Sequence, residues 1–143
     1  ERVYYLYQEQ VDTYKDESGR VLRTERQVTE TVSILYGLTP AELLCTAGHE
    51  LAHAFQARSL PDVHFNGPDW LKEGVCQYVA AAIARRRHYH DELTSIEKSP
   101  HPAYGRGYRY LVKRFGKNNW KGLHAWLRTL DPAALPRELP KDL

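Results

Sequence analysis

His49, Glu50 and His53 are the residues whose types and spacing could do chemistry. They stand in the run Gly48-His49-Glu50-Leu51-Ala52-His53, which spells H-E-x-x-H. On an α-helix, residues four apart share a face about one turn along the axis. Both imidazoles can then reach a single zinc ion. Glu50 follows the first histidine and projects beside the metal, where it can take a proton from a zinc-bound water. So short a pattern also arises by chance, and two conditions must support it: a helix beneath it and a third ligand from elsewhere.

The helix is well signalled. Thr39 can cap it, Pro40 occupies the first helical position and Glu42 completes a capping box. The predicted span is Pro40 to about Arg58, with Leu43, Leu44, Ala47, Leu51, Ala54 and Phe55 as its core side. H-E-x-x-H therefore falls mid-helix among apolar residues. Ahead of it, Val3 to Tyr14 reads as a strand, 15–19 as a turn and Val21 to Val28 as a second strand, making a hairpin with one wet face. Val32 to Gly37 predicts a third, more apolar strand. After the first helix, Leu60 to Asp69 reads as a loop, with Asp69 as N-cap of a helix that carries Trp70 to Val79 and extends to Arg87 or beyond. His88 to Ser99 is polar and ends at the breaker Ser99-Pro100-His101-Pro102. Further helices are predicted from Ala103 to Phe115, stopped by Gly116, and from about Asn119 to Leu130. Residues 131–143 contain three prolines and read as a loosely docked tail.

A catalytic zinc usually has three protein ligands and one open position. The extended metzincin pattern needs Gly three residues after the second histidine and His six after. Gln56 and Ser59 stand there instead. Glu73, in Trp70-Leu71-Lys72-Glu73-Gly74, lies on the next helix, reached by a loop of roughly ten residues. A glutamate so placed is the gluzincin arrangement, because two antiparallel helices can face one metal. Asp69 is better read as a cap. Asp62 and His64 fall in the loop, and His64 is the runner-up ligand. The plain alternatives are a solvated carboxylate for Glu73 and a pair of satisfied core histidines for His49 and His53.

The reaction these residues predict is peptide hydrolysis. Glu50 removes a proton from the zinc-bound water, the hydroxide attacks a scissile carbonyl, and Glu50 passes the proton to the leaving amine. One further donor to the oxyanion is expected from a later element. Tyr104 is the candidate, with Tyr108 and His101 competing for the role; the chain has ten tyrosines and most must be structural. Cys45 precedes His49 by one turn and Cys76 follows Glu73 by three residues. Both read first as buried apolar thiols. The sharper reading is that one or both tune the site or lock it on oxidation.

Composition sets the outer bounds. The chain has 143 residues, 42% hydrophobic and 27% charged, which suits one soluble globular domain. A net charge of +2 gives no case for nucleic acid, and Arg85-Arg86-Arg87 suits the C-terminal end of a helix. No apolar run is long enough to span a membrane. Two cysteines do not make a disulfide framework, so a reducing cytoplasm is the expectation. With no methionine and an opening inside a strand pattern, the chain reads as a piece of a longer protein.

Three stretches together resemble the C-terminal peptidase domain of the plant DA-one family, LIM-domain, ubiquitin-activated peptidases that limit organ size. They are V-S-I-L-Y-G-L-T-P leading into G-H-E-L-A-H-A-F, then W-L-K-E-G-V-C-Q-Y-V-A, then P-A-Y-G-R-G-Y-R. The resemblance spans about residues 30–116, and E-G-V-C-Q and A-Y-G-R-G are its more specific parts. It implies a zinc endopeptidase of gluzincin type acting on regulatory proteins inside the cell. His49 and His53 match the histidine ligands, Glu50 the catalytic base and Glu73 the glutamate ligand. Tyr104-Gly105-Arg106-Gly107 is also similar to the Tyr-x-x-Gly segment of aminopeptidase gluzincins, whose tyrosine stabilises the transition state. Lys72 stands where the plant proteins have glutamate, and neither a LIM domain nor a ubiquitin-interacting helix is present in this chain. Ubiquitin activation and the plant substrates are therefore not carried over.

The resulting expectation is an α+β, zincin-like domain, with a small twisted sheet, the H-E-x-x-H helix, the glutamate helix and further helices. The cleft should lie between sheet and lower helices, binding an extended polypeptide along a sheet edge, with Val21 to Val28 as that edge. The expected protein is a monomer with one zinc, and an activating partner or domain outside this chain is left open. The alternative is a latent or degenerate zinc-binding module that recognises a protein without cutting it. A structural zinc domain with Cys45 or Cys76 as fourth ligand is a further one.

Overall fold

The hairpin forms because its strands are rich in Val, Thr and Tyr and its turn is chemically specified. The computed structural model describes residues 3–34 and 36–142, and side chains from residue 5 onward. Strands β1 (Val3–Lys15) and β2 (Val21–Ile34) pair antiparallel, from Val3 opposite Ile34 to Lys15 opposite Val21. In the turn, the Asp16 carboxylate accepts from the backbone N–H of Ser18 (2.9 Å) and Arg20 (3.0 Å). Gly19 takes the left-handed φ of 84° that the turn needs.

The predicted third strand is not separate. Val32 to Ile34 continue β2, because nothing between Val28 and Val32 breaks an extended chain. Leu35, within that predicted strand, and Leu143, at the end of the predicted tail, lie outside the described residues.

Six α-helices follow: α1 (Pro40–Ser59), α2 (Pro61–Asn66), α3 (Asp69–Arg87), α4 (His90–Lys98), α5 (Gly107–Phe115) and α6 (Trp120–Leu127). The architecture is thus α+β, with one two-stranded antiparallel sheet and six α-helices among the described residues. The capping box of α1 is present, with Glu42 N–H donating to Thr39 Oγ1 at 3.2 Å and Thr39 N–H donating to Glu42 Oε2 at 2.8 Å. The predicted core side of α1 is corrected. Leu43, Leu44 and Leu51 are exposed, and the buried positions include Cys45, Gly48, His49, Glu50, Ala52 and Gln56. The helix turns its polar, chemistry-bearing face inward. Leu51 instead lines an open apolar groove with Val79, Ile83 and Trp120, while Phe55, at the same groove, is half-buried and packs against the core as expected.

Helix α3 is the centre of the core. Leu71, Val75, Tyr78, Ala81 and Ala84 are buried against Tyr108, Leu111, Leu123 and Leu127 from α5 and α6. The predicted loop 60–69 holds a short helix, α2, because Pro61 supplies a helical start. Pro68, rather than Asp69, stands at the N-cap of α3, and Asp69 instead pairs with Lys72 at 2.8 Å within the first turn. Helix α3 stops at Arg87, where His88 turns left-handed with φ 58°. The polar segment after it forms α4. Residues Pro102–Arg106 wind as a π-helical turn into α5, and Gly116 ends α5 with φ 82°. The tail is tied down rather than loose: Trp70 Nε1 donates to the Pro136 carbonyl at 2.8 Å, and Leu139 is buried. Among the described residues, no helix is long and apolar enough to cross a membrane.

Candidate metal centre

Two contacts between helices build the site. The first is α1 against α3, which sets His49 and His53 opposite Glu73. Glu73 Oε2 lies 3.1 Å from His49 Nε2 and 3.3 Å from His53 Nε2. The second is α3 against the start of α5, where Gly74 meets Gly107. A Cβ on Gly74 would lie 2.7 Å from the Gly107 carbonyl carbon, so only glycine permits this approach. Gly74 follows Glu73 and Gly107 follows Tyr104 by three residues. The crossing therefore brings Tyr104 against His49, its ring stacked on the imidazole at 5.6 Å between centroids. The two glycine-containing stretches singled out in the sequence are the two sides of this contact.

These groups open onto a cleft of about 650 Å³ lined by Tyr5 and Tyr7 of β1, by His49, Glu50 and His53 of α1, by Lys72 and Glu73 of α3, and by Tyr104. Helix α4 contributes Glu92, Ser95 and Ile96. The strand side chains at the cleft belong to β1. Val21 to Val28, the predicted substrate edge, lies toward the hairpin tip and lines no part of this cleft.

Electrostatics favour an ionised Glu73. Burial opposes its charge, but hydrogen bonds from His49 and His53, and their charges when protonated, outweigh that and hold the carboxyl down at about 2. Burial pushes the Cys45 thiol up to about 11, helped by the nearby Glu92 carboxylate. Burial likewise keeps the Cys76 thiol well above its usual value.

The donor set fits a metal ion. Tetrahedral zinc with bonds of about 2.0–2.2 Å to nitrogen and oxygen places neighbouring donors roughly 3.3 Å apart. The 3.1 and 3.3 Å separations at Glu73 match two of the three edges of such a set. One ring nitrogen from each of His49 and His53, together with Cys76 Sγ, also forms a group within 4.8 Å that could hold a metal ion.

The remaining candidates separate by position. Tyr108 is buried, and its hydroxyl accepts from Arg85 at 3.0 Å away from the cleft. His101 caps the π-helical turn, its Nδ1 accepting from Ala103 N–H at 3.2 Å and Tyr104 N–H at 3.4 Å. It supports Tyr104 rather than facing the cleft. His64 on α2 lies beside His53, with ring centroids 6.2 Å apart, and its Nδ1 is buried without a partner. Asp62 and Asp69 line no part of the cleft.

Sequence reasoning missed Tyr5, whose ring stacks on His53 at 6.2 Å and 9° while its hydroxyl donates to Glu30 at 2.7 Å. No local pattern links a strand tyrosine to a helix forty-eight positions later. Gln56 was missed as a site residue although it sits three residues after His53 and seven after His49, on the same helix face. Its Nε2 donates to Cys76 Sγ at 2.9 Å and to the Lys72 carbonyl at 3.0 Å.

No protein-family model, no curated protein and no solved structure matches the chain.

Proposed function

We propose that this chain is a zinc metallopeptidase of gluzincin type, a zincin-like endopeptidase that hydrolyses polypeptide substrates. The carrying observation is Glu73 Oε2 at 3.1 and 3.3 Å from the two histidine nitrogens, within an open cleft that Glu50 and Tyr104 also line. His49, His53 and Glu73 would hold the zinc. When bound, zinc supplies Lewis acidity, making a water a better nucleophile and a carbonyl a better electrophile.

The chain's own residues do the rest. Glu50, only 6% exposed, takes the proton of the attacking water and later hands it to the departing amine nitrogen. The Tyr104 phenol donates to the oxygen on which negative charge develops. Tyr5 holds the His53 ring by stacking, and its bond to Glu30 holds Tyr5. The likeness of E-G-V-C-Q and A-Y-G-R-G to the DA-one peptidases supports the same reading, since those stretches supply Glu73 and Tyr104.

The test is cleavage of a denatured protein by zinc-reconstituted wild type beside Glu50→Gln. The wild type should cut, and Glu50→Gln should keep its zinc while losing at least about 10²-fold in rate. A zinc-loaded wild type that leaves every unfolded protein intact would replace this reading with that of a zinc-binding module without peptidase activity.

A further inference from the structure

The proposed zinc site already has two histidines and a glutamate, yet a further donor stands against it. Cys76 follows Glu73 by three residues on α3, so the two side chains share a helix face. Cys76 is fully buried and lines no part of the cleft, so it meets the histidines from the protein side. Its sulfur and one ring nitrogen from each of His49 and His53 lie within 4.8 Å of one another. Tetrahedral edges between nitrogen and sulfur donors are roughly 3.3–3.6 Å, so closing this three-donor group takes at most about 1.5 Å of movement, within reach of side-chain rotation.

Gln56 carries the argument further. It is fully buried, and its amide donates to Cys76 Sγ at 2.9 Å. A thiol is a weak acceptor, whereas a metal-bound thiolate gains from such an N–H donor, as sulfurs of metal sites commonly do. The carboxamide is held in this orientation by its second bond, to the Lys72 carbonyl at 3.0 Å. Its own Oε1 is buried without a hydrogen-bond partner. Orienting the amide the other way would aim a carbonyl oxygen at the sulfur. The arrangement thus favours a donor toward Cys76 at the cost of an unpartnered acceptor.

We propose that Cys76 is a fourth protein ligand of the metal, joining His49, His53 and Glu73 from the buried side. This rests on the zinc reading above and deepens it. The thiol proton passes to solvent, a sulfur lone pair forms the bond to the metal, and no oxidant or reductant is needed. Four protein donors make the resting site a closed one, and access for water or a substrate carbonyl then requires Cys76 to leave or the coordination to expand.

Cobalt(II) reconstitution of the metal-free chain, read by absorption, tests this independently of activity. The wild type should show visible d–d bands and an intense near-ultraviolet sulfur-to-cobalt charge-transfer band. Cys76→Ser and Cys76→Ala should both lose the charge-transfer band and keep the d–d bands, while Cys45→Ser keeps both. A wild type with d–d bands and no charge-transfer band overturns the Cys76 assignment and leaves the zinc reading standing. So does a charge-transfer band that survives in both Cys76 variants. No cobalt bands at all in the wild type overturns both.

Discussion

Gly74→Ala would set two opposed effects against each other at the crossing that builds the site. Alanine in a helix interior gains about 1 kcal/mol over glycine from propensity alone. At this position the new Cβ would stand 2.7 Å from the Gly107 carbonyl carbon and 3.0 Å from its Cα and oxygen. Ordinary contact begins at 3.4 Å, so α3 and α5 must separate by 0.7 Å (3.4 − 2.7). Every atom met is backbone, so no side chain can rotate out of the way. Overpacking costs typically 1–3 kcal/mol, and a backbone-on-backbone overlap belongs at the upper end, about 3. The net expectation is a destabilisation of about 2 kcal/mol, a large part of an ordinary domain's 5–15 kcal/mol. Urea unfolding followed by circular dichroism reads it as a lower midpoint at unchanged slope. Separation also moves Tyr104 away from His49, so the variant should lose peptidase activity beyond its loss of stability. A variant stabilised by about 1 kcal/mol, as propensity dictates, would refute the close crossing.

Other outcomes follow from the same geometry. Tyr104→Phe should lower kcat by about 10²–10³-fold with little change in KM, as loss of a single oxyanion donor does; an unchanged kcat would remove Tyr104 from the reaction. In metal-free protein, the Glu73 carboxyl is held below its usual 4.5, so its stabilisation is complete above that pH and lost as pH falls toward about 2. Its size is on the order of 3 kcal/mol at 1.36 kcal/mol per unit. Acid unfolding of wild type against Glu73→Gln should show a stability gap that closes across that window, and a gap independent of pH would contradict the assignment. Glu30→Ala removes the acceptor shared by Tyr5 and Arg58, each bonded at 2.7 Å. A two-stranded sheet is marginal by itself. Amides of β1 and β2 should then exchange faster while those of α3 stay protected, and equal protection would refute this anchoring role.

What was legible in the sequence follows from how local the cause is. The start of α1 could be read because Thr39, Pro40 and Glu42 specify a cap within four residues. That His49 and His53 share one face of α1 could be read because a four-residue spacing is itself that geometry, whereas the approach of Glu73 depends on how α3 packs against α1. The buried face of α1 could not be read from apolar periodicity. Its inward face carries His49, Glu50 and Gln56, and Leu43, Leu44 and Leu51 look outward, so the helix has apolar residues on the side away from the core. Tyr104 stands ahead of Tyr108 and His101 already in the sequence, but all three occur within eight residues, and the structure separates them by position: Tyr104 lines the cleft and the other two do not. Tyr5 and the tail bonds at Trp70 depend on contacts between distant segments, which no local pattern encodes.

The most direct measurement is zinc stoichiometry and affinity of wild type, Glu73→Gln and Glu50→Gln after removal and return of the metal. One zinc per chain is predicted for the wild type. Glu73→Gln should lose affinity by more than the roughly 10–100-fold that removal of an outer-shell partner costs, and Glu50→Gln should hold zinc as the wild type does. A wild type that binds no zinc, or a Glu73→Gln variant that holds it equally tightly, would contradict the account.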